Sequence, residues 1–308
     1  MSQRSRGAAI LGGSGFIGHA VTEELVRCGY RVSVVNRGLT PAAFAGPVER
    51  VKADRTDPLS FAQALAAIDA DCVVDVTAFR EEETRAAIEA FRGRIERFVH
   101  IGSLSVYQWP FPCPVAEDWP LETDPFVSYG FHKAGCERAL QAEPVAGLPW
   151  SILRLPAVCG PRDPTSREAD LRRQICGGQP VYVPPRPYFC QNLFVQDAAR
   201  AVRMMIETPA AAGRAYNVGG PPFTLEEYAG LLADLLGKPP RLVRASGRAL
   251  AEGGIDPHKI PYYFEGDLCL DTRRIRDELA FTPAFDREQA LSLTLDWLAR
   301  AEGADAAE

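Results

Sequence analysis

No apolar run in this 308-residue chain is more than a few residues long; Ala8-Ala9-Ile10-Leu11 and Cys72-Val73-Val74 are typical. A bilayer span needs roughly 20, so no membrane partner is expected. The opening MSQRSRG carries two arginines with no apolar stretch behind it, and so does not read as a signal peptide. The eight cysteines include no C-x-x-C pair, and the four histidines form no H-E-x-x-H or Cys/His cluster, which argues against a metal site. Scattered thiols of this kind read as reduced and structural, the habit of a cytoplasmic protein. A basic surplus is missing too: 34 basic residues face 40 acidic ones, a net charge of −6. A protein gripping nucleic acid through a broad basic face would look different.

Hydrophobic residues make up 46% and charged residues 24%, the balance of a globular protein rather than a disordered or fibrous one. The 26 glycines and 25 prolines are spread without a period and mark turns. The length suits one large or two intergrown domains. Short apolar, β-branched runs predict strands at 8–11, 31–36, 48–53, 71–76 and 97–101, with helical patterns at 16–28, 59–67 and 83–91. Strands joined through helices form right-handed βαβ units and a parallel sheet. The expected fold is therefore a doubly wound α/β domain. Later come a helix at 128–142, a strand at 150–155, a helix at 196–207, a strand at 215–218 and a helix at 225–236. Prolines crowd around Val183-Pro184-Pro185-Arg186-Pro187, which points to a small second lobe closing over the carboxyl edge of the sheet. The final AEGADAAE reads as frayed.

Gly12, Gly15 and Gly18 set a G-x-x-G-x-x-G between the first strand and the first helix. Glycine there permits a tight turn and lets the backbone approach a pyrophosphate, whose charge sits at the helix N-terminus. A packing turn is the alternative, but a strand before and a helix after are the context that dinucleotide binding requires. At the end of the second strand, where an acid commonly accepts from the adenosine ribose of NAD, the chain has Asn36-Arg37. A guanidinium there can pair with a 2′-phosphate, so NADP is the expected cofactor and NAD the alternative; a solvated surface arginine would look the same in sequence. Asp54, after the third strand, either bonds an adenine edge or caps a turn. Tyr129 and Lys133 share a helix face at i, i+4, and an ammonium beside the phenol is expected to lower its pKa toward working pH. Ser103 lies just past the fifth strand on the same sheet edge, where a hydroxyl can hold a substrate oxygen.

Together, Gly12, Gly15 and Gly18, Ser103 four residues before Tyr107, and the Tyr129–Lys133 pair resemble the extended short-chain dehydrogenase/reductase family, the NAD(P)-dependent epimerase/dehydratase group. The likeness continues in order through Leu153-Arg154-Leu155-Pro156, Gly160-Pro161, Phe194-Val195-Gln196-Asp197 and Tyr216-Asn217-Val218-Gly219-Gly220. It implies Tyr129 as catalytic acid/base, Lys133 as its electrostatic partner and a ribose ligand, and Ser103 as the ligand of the substrate oxygen. It adds Ser14, Phe16, Ile17, Arg55, Thr77, Ala78, Pro156 and Val158 to the cofactor site formed by the glycines, Asn36, Arg37 and Asp54. Residues 1–158 would then form a dinucleotide-binding Rossmann domain, and 159–308 mainly a smaller α/β substrate lobe, with about 190–218 returning to the first.

The departures bear on the substrate. Nucleotide-sugar members often read L-R-x-x-N-x-Y-G-P, where this chain has Ala157 and Cys159. An arginine that often precedes Phe-Val-x-x-Asp gives way to Cys190 and Gln191, and Leu104 and Ser105 stand where dehydratases place an acid. These differences weaken a nucleotide-sugar substrate and disfavour dehydration. The expectation is an epimerase or reductase acting by hydride transfer on a carbinol or carbonyl carbon, with sugars and nucleotide sugars among the candidates. The alternative is a non-catalytic or RNA-binding relative, because Asn36-Arg37-Gly38 resembles atypical members such as chloroplast stem-loop binding proteins. The retained Ser103, Tyr129 and Lys133 and the acidic balance speak against it, so no nucleic-acid partner is expected. The resemblance also implies a homodimer, with Ala134, Ala139 and Leu140 either as contacts in a four-helix bundle or as ordinary core.

Overall fold

The computed structural model of the chain describes residues 5–305. Its first elements are β1 (Gly7–Leu11), α1 (Phe16–Arg27), β2 (Arg31–Asn36), β3 (Val48–Lys52), α2 (Pro58–Ala66), β4 (Cys72–Asp75), α3 (Glu81–Phe91) and β5 (Arg97–Ser103). Next come α4 (Ser128–Gln141), β6 (Trp150–Leu155), β7 (Ala157–Cys159), α5 (Arg167–Cys176), β8 (Pro180–Val183), β9 (Phe189–Cys190), β10 (Asn192–Phe194) and α6 (Val195–Glu207). The chain ends with β11 (Arg214–Asn217), β12 (Phe223–Thr224), α7 (Leu225–Leu236), β13 (Arg241–Arg244), α8 (Gly247–Glu252), α9 (Arg273–Leu279) and α10 (Arg287–Asp305). No described helix is long and apolar enough to cross a membrane.

The elements fall into two compact units. Unit 1 holds the chain up to Leu155, Val195–Val218 and Asp271–Thr282. Its seven strands lie in the order β3-β2-β1-β4-β5-β6-β11, and every neighbouring pair is parallel. This is a doubly wound Rossmann-like sheet. Its order reverses between β1 and β4, and in such sheets ligands sit outside the carboxyl ends at the reversal. β1, β4 and β6 are buried throughout, as continuous apolar strands must be when both faces are covered. Val-Glu-Arg-Val-Lys of β3 stays partly exposed, a charged edge that resists pairing with another chain. Phe61, Leu65, Phe91, Phe98, Leu140 and Trp150 join one core.

Ala134, Ala139 and Leu140 are no more than 1% exposed, so the dimer contacts expected there are not available: these side chains are core of their own subunit. The first break falls between Leu155 and Pro156 rather than after 158, and the return spans Val195–Val218 rather than 190–218. A second return, Asp271–Thr282 with α9, had no counterpart in the sequence reading.

Unit 2 holds Pro156–Phe194, Gly219–Leu270 and the chain from Pro283 on. It is built from three two-stranded ladders, β10–β7 and β13–β8 parallel and β12–β9 antiparallel. Leu171, Val181, Phe223, Tyr228, Leu232 and Tyr262 form its core. The tail is not frayed as expected where it is described, since α10 continues through Ala301 to Asp305; 306–308 lie outside the described residues.

Candidate active site

At the carboxyl end of β1, Gly12 turns the chain with φ +93°, and a side chain there would collide with Thr77. A Cβ on Gly18 would lie 2.1 Å from the Gly12 carbonyl oxygen, so glycine lets α1 press against the turn that precedes it. A Cβ on Gly15, by contrast, would meet nothing nearer than the Gly12 oxygen at 4.0 Å. Gly15 is also the N-cap of α1 and offers no side-chain acceptor. The first amides of a 12-residue helix are thus left for an anion.

A cavity of about 370 Å³ opens at this turn. Gly12, Ser14, Gly15, Asn36, Arg37, Asp54, Arg55 and Thr77 line it, together with Leu39 and Phe61, which the sequence reading missed. Asn36 donates to Ser14 Oγ at 2.5 Å and accepts from the Gly38 amide at 2.8 Å, so one amide ties the glycine turn to the end of β2. Asp54 caps its own turn, accepting from Thr56 N at 3.0 Å and Thr56 Oγ1 at 2.9 Å. Those bonds, with the Arg37 charge, hold its carboxyl below the usual range. Arg55 is paired with the fully buried Asp75 and lies 5.1 Å from the Phe61 ring centre. Phe16, Ile17 and Gly18 begin α1 behind Gly15, outside the cavity wall. Pro156 and Val158 belong to unit 2, where Val158 pairs with Leu193 in the β7–β10 ladder.

The second cluster lies at the carboxyl end of β5. Ser103 is the last residue of that strand rather than just beyond it, and its hydroxyl accepts from the Ser105 amide at 3.2 Å. Tyr129 and Lys133 sit on successive turns of α4. Gly130 between them is what brings α4 in: a Cβ there would lie 2.3 Å from the Ser105 carbonyl oxygen. Tyr129 is 50% exposed, and its ring leans on Phe79, 5.7 Å between centres. Partial burial pushes the phenol above its usual pKa, and the neighbouring Ser103 hydroxyl, as a hydrogen-bonding partner, offsets part of the rise.

Lys133 behaves differently from expectation. It is only 4% exposed, and its ammonium donates to Ile101 O at 2.6 Å and Ala78 O at 2.9 Å and faces His100 Nε2 at 3.3 Å. An ammonium has three donors, so all are engaged away from Tyr129, and the predicted lowering of the phenol pKa by Lys133 is not seen. Burial instead pulls the Lys133 pKa down and drives that of His100 well below its usual value, the nearby ammonium adding to the effect. Ala78 thus acts through its backbone, a role no side-chain pattern could show.

The model of the NAD dependent epimerase/dehydratase family matches residues 8–219. The chain belongs to this family. The expected kinship with extended short-chain dehydrogenases/reductases therefore holds, and the family is one of NAD-dependent epimerases and reductases. Among characterised relatives, 2'-dehydrokanamycin reductase of Streptomyces kanamyceticus is 29% identical over 150 residues, which make up 48% of this chain and 42% of the reductase. Chloroplast stem-loop binding protein of 41 kDa b from Arabidopsis thaliana is 25% identical over 225 residues, 68% of this chain and 58% of that protein. The matched region thus spans about half the length of these two relatives. Among solved structures, an epimerase from Methanothermobacter thermautotrophicus covers 97% of this chain, and 94% of its own, with a TM-score of 0.80 and 18% identity. MoeE5, in complex with UDP-glucuronic acid and NAD, covers 96% of this chain and 99% of its own, with a TM-score of 0.76 and 23% identity. At these identities the structures establish the fold.

Proposed function

We propose that this family member is an epimerase or reductase that prefers NADP, with NAD as the alternative, and acts on a carbinol or carbonyl carbon of a small molecule. The observation that carries the reading is the meeting of Ser103 and Tyr129 at the carboxyl end of β5, on the same sheet edge as the glycine turn after β1. The residues around that turn fit a dinucleotide: open backbone at Gly15, uncapped amides of α1 and two arginines in the cavity wall. When bound, the nicotinamide would supply hydride transfer. Arg37 would distinguish a 2′-phosphate from a free ribose hydroxyl.

Tyr129 is the proton-handling group. A tyrosine carries its proton at neutral pH, so Tyr129 can give it to a substrate oxygen that is gaining charge, while Ser103 holds that oxygen. A resting phenol suits carbonyl reduction, in keeping with the activity named for the Streptomyces relative. Sugars and nucleotide sugars stay among the candidate substrates, although Ala157 and Cys159 weaken the nucleotide-sugar case; MoeE5 is one of the neighbours with a nucleotide sugar bound. The RNA-binding alternative is not favoured, because Tyr129, Ser103 and Lys133 are retained in an acidic chain. We further propose a cytoplasmic homodimer, whose mass light scattering would report, with contacts other than the core alanines of α4.

The test is Tyr129→Phe. Losing the proton donor should slow turnover about 10²- to 10⁴-fold with NADPH affinity unchanged. Turnover within a few-fold of the parent would overturn the assignment.

A further inference from the structure

We propose that Asp75 is a positioning residue that links the two halves of the site, its one carboxylate seating the Lys133 ammonium through Ala78 and holding Arg55 in the cofactor cavity. The proposal rests on the cofactor reading above and adds a residue that no motif marked.

Asp75 ends β4 and is fully buried. The parallel register sets it between Leu11 of β1 and His100 of β5. Its Oδ1 accepts from the Ala78 amide at 3.2 Å and from Arg55. The carbonyl of the same Ala78 accepts from Lys133 Nζ at 2.9 Å. Removing the carboxylate therefore frees the amide whose peptide neighbour holds Lys133. On the other side, Arg55 lines the cavity with Ser14 and Arg37. Arg55 Nη1 and Asp75 Oδ2 are buried, and neither makes a hydrogen bond among the described residues. A phosphate in the cavity would meet the part of the Arg55 side chain that lines it, on a guanidinium whose direction is already fixed by Asp75; a charge-assisted bond to it draws on that orientation.

The charges around Lys133 give the link a measurable sign. Burial works most strongly against its ammonium; Cys136, Asp75 and Glu137 favour it, and Arg55 opposes it. His100 faces it as a buried imidazole with its pKa far down. Neutralising Asp75 removes a supporting charge, so Lys133 should lose its proton at lower pH.

The chain has only four lysines, Lys52, Lys133, Lys238 and Lys259, so the Lys133 Nζ signal can be followed in ¹⁵N-lysine-labelled protein and assigned by its loss in Lys133→Met. Binding of NADPH and of 2′,5′-ADP is measured by calorimetry in parallel. In the parent, 2′,5′-ADP should bind and shift the Lys133 signal, although the fragment has no nicotinamide half. Asp75→Asn should weaken 2′,5′-ADP about tenfold, abolish that shift and lower the pH at which Lys133 titrates. Arg55→Gln, which leaves Asp75 and Ala78 in place but removes a charge that opposes the Lys133 ammonium, should raise the pH at which Lys133 titrates in the free protein, weaken 2′,5′-ADP and abolish the response of the Lys133 signal to it; it covers the case in which Asp75→Asn does not fold. Unchanged binding and an unmoved Lys133 signal in both variants, with a parent that binds NADPH, would overturn the link alone. A parent that binds neither ligand would overturn the cofactor reading and the link with it.

Discussion

Arg37 stands exposed at the rim of the cavity, and its charge is felt by Asp54. Next to it Asn36 spends its amide on Ser14 and on the Gly38 turn, so the segment that presents the guanidinium is held from two sides. An exposed ion pair contributes little as a rule, but a charge-assisted bond to a 2′-phosphate is worth about 1.5–3 kcal/mol. Arg37→Ala should therefore weaken NADPH about 10- to 100-fold and leave NADH affinity nearly unchanged, as read by calorimetry. Equal losses for the two dinucleotides would show that Arg37 contacts a group common to both. The place of this arginine in the cavity wall was legible in the sequence because it depends only on its position after β2; its pairing with a 2′-phosphate is what the substitution tests. Lys133 was legible by spacing, but not its partners: Ala78 O, Ile101 O and His100 come together through strand register, which one sequence does not display.

At the scale of elements, α4 fits closely against the segment after β5. Helix α4 carries Gly130 where helix propensity would prefer alanine, and the space for a methyl group is already taken by the Ser105 carbonyl. Gly130→Ala should destabilise the chain by about 1–3 kcal/mol through overpacking. It should also cut turnover about 10²-fold, because a displacement of roughly 1 Å between Ser103 and Tyr129 misaligns the proton donor; urea unfolding and steady-state rates check the two parts separately. The longer elements could be read from sequence because their patterns are long enough to show: the β-branched run of β2 and the largely apolar β6, and the helix at α7, closed by Gly237 in a left-handed conformation. The strands of unit 2 are two to four residues long, too short for a period to show. Helix α10 was missed for another reason, since its apolar residues gather on no single face.

Across the whole of unit 1, one buried ion pair draws together segments distant in sequence. Arg154 of β6 and Glu137 of α4 are 1% and 0% exposed and 2.7 Å apart. The same guanidinium donates to Tyr107 Oη and to Glu117 O, both at 2.8 Å. Tyr107 Oη donates to Asn217 Oδ1 at 2.6 Å, the Asn217 backbone N–H donates to Glu117 Oε1 at 2.9 Å, and Arg274 of the second return lies 3.6 Å from Glu117. Gly102, the residue before Ser103, is glycine in part because a Cβ there would lie 2.6 Å from Glu137 Oε1. Polar contacts thus pin both returning stretches to the β6–β11 side of the sheet, where apolar packing alone would specify position less sharply. A buried pair adds little net stability over an apolar replacement, yet breaking one partner leaves a bare charge that costs about 3–5 kcal/mol. Glu137→Gln should lower the unfolding free energy by that amount in urea titrations, because Arg154 keeps its charge and loses its anion. Glu137→Leu combined with Arg154→Met should recover most of the loss, since neither member of the pair is then left as a bare buried charge. If the single variant costs less than about 1 kcal/mol, the value of an exposed pair, the network does not anchor the returning segments. If the double variant instead falls as far as the single one, the remaining partners Tyr107, Glu117 and Asn217 need the guanidinium itself, and the anchor is Arg154 rather than the pair.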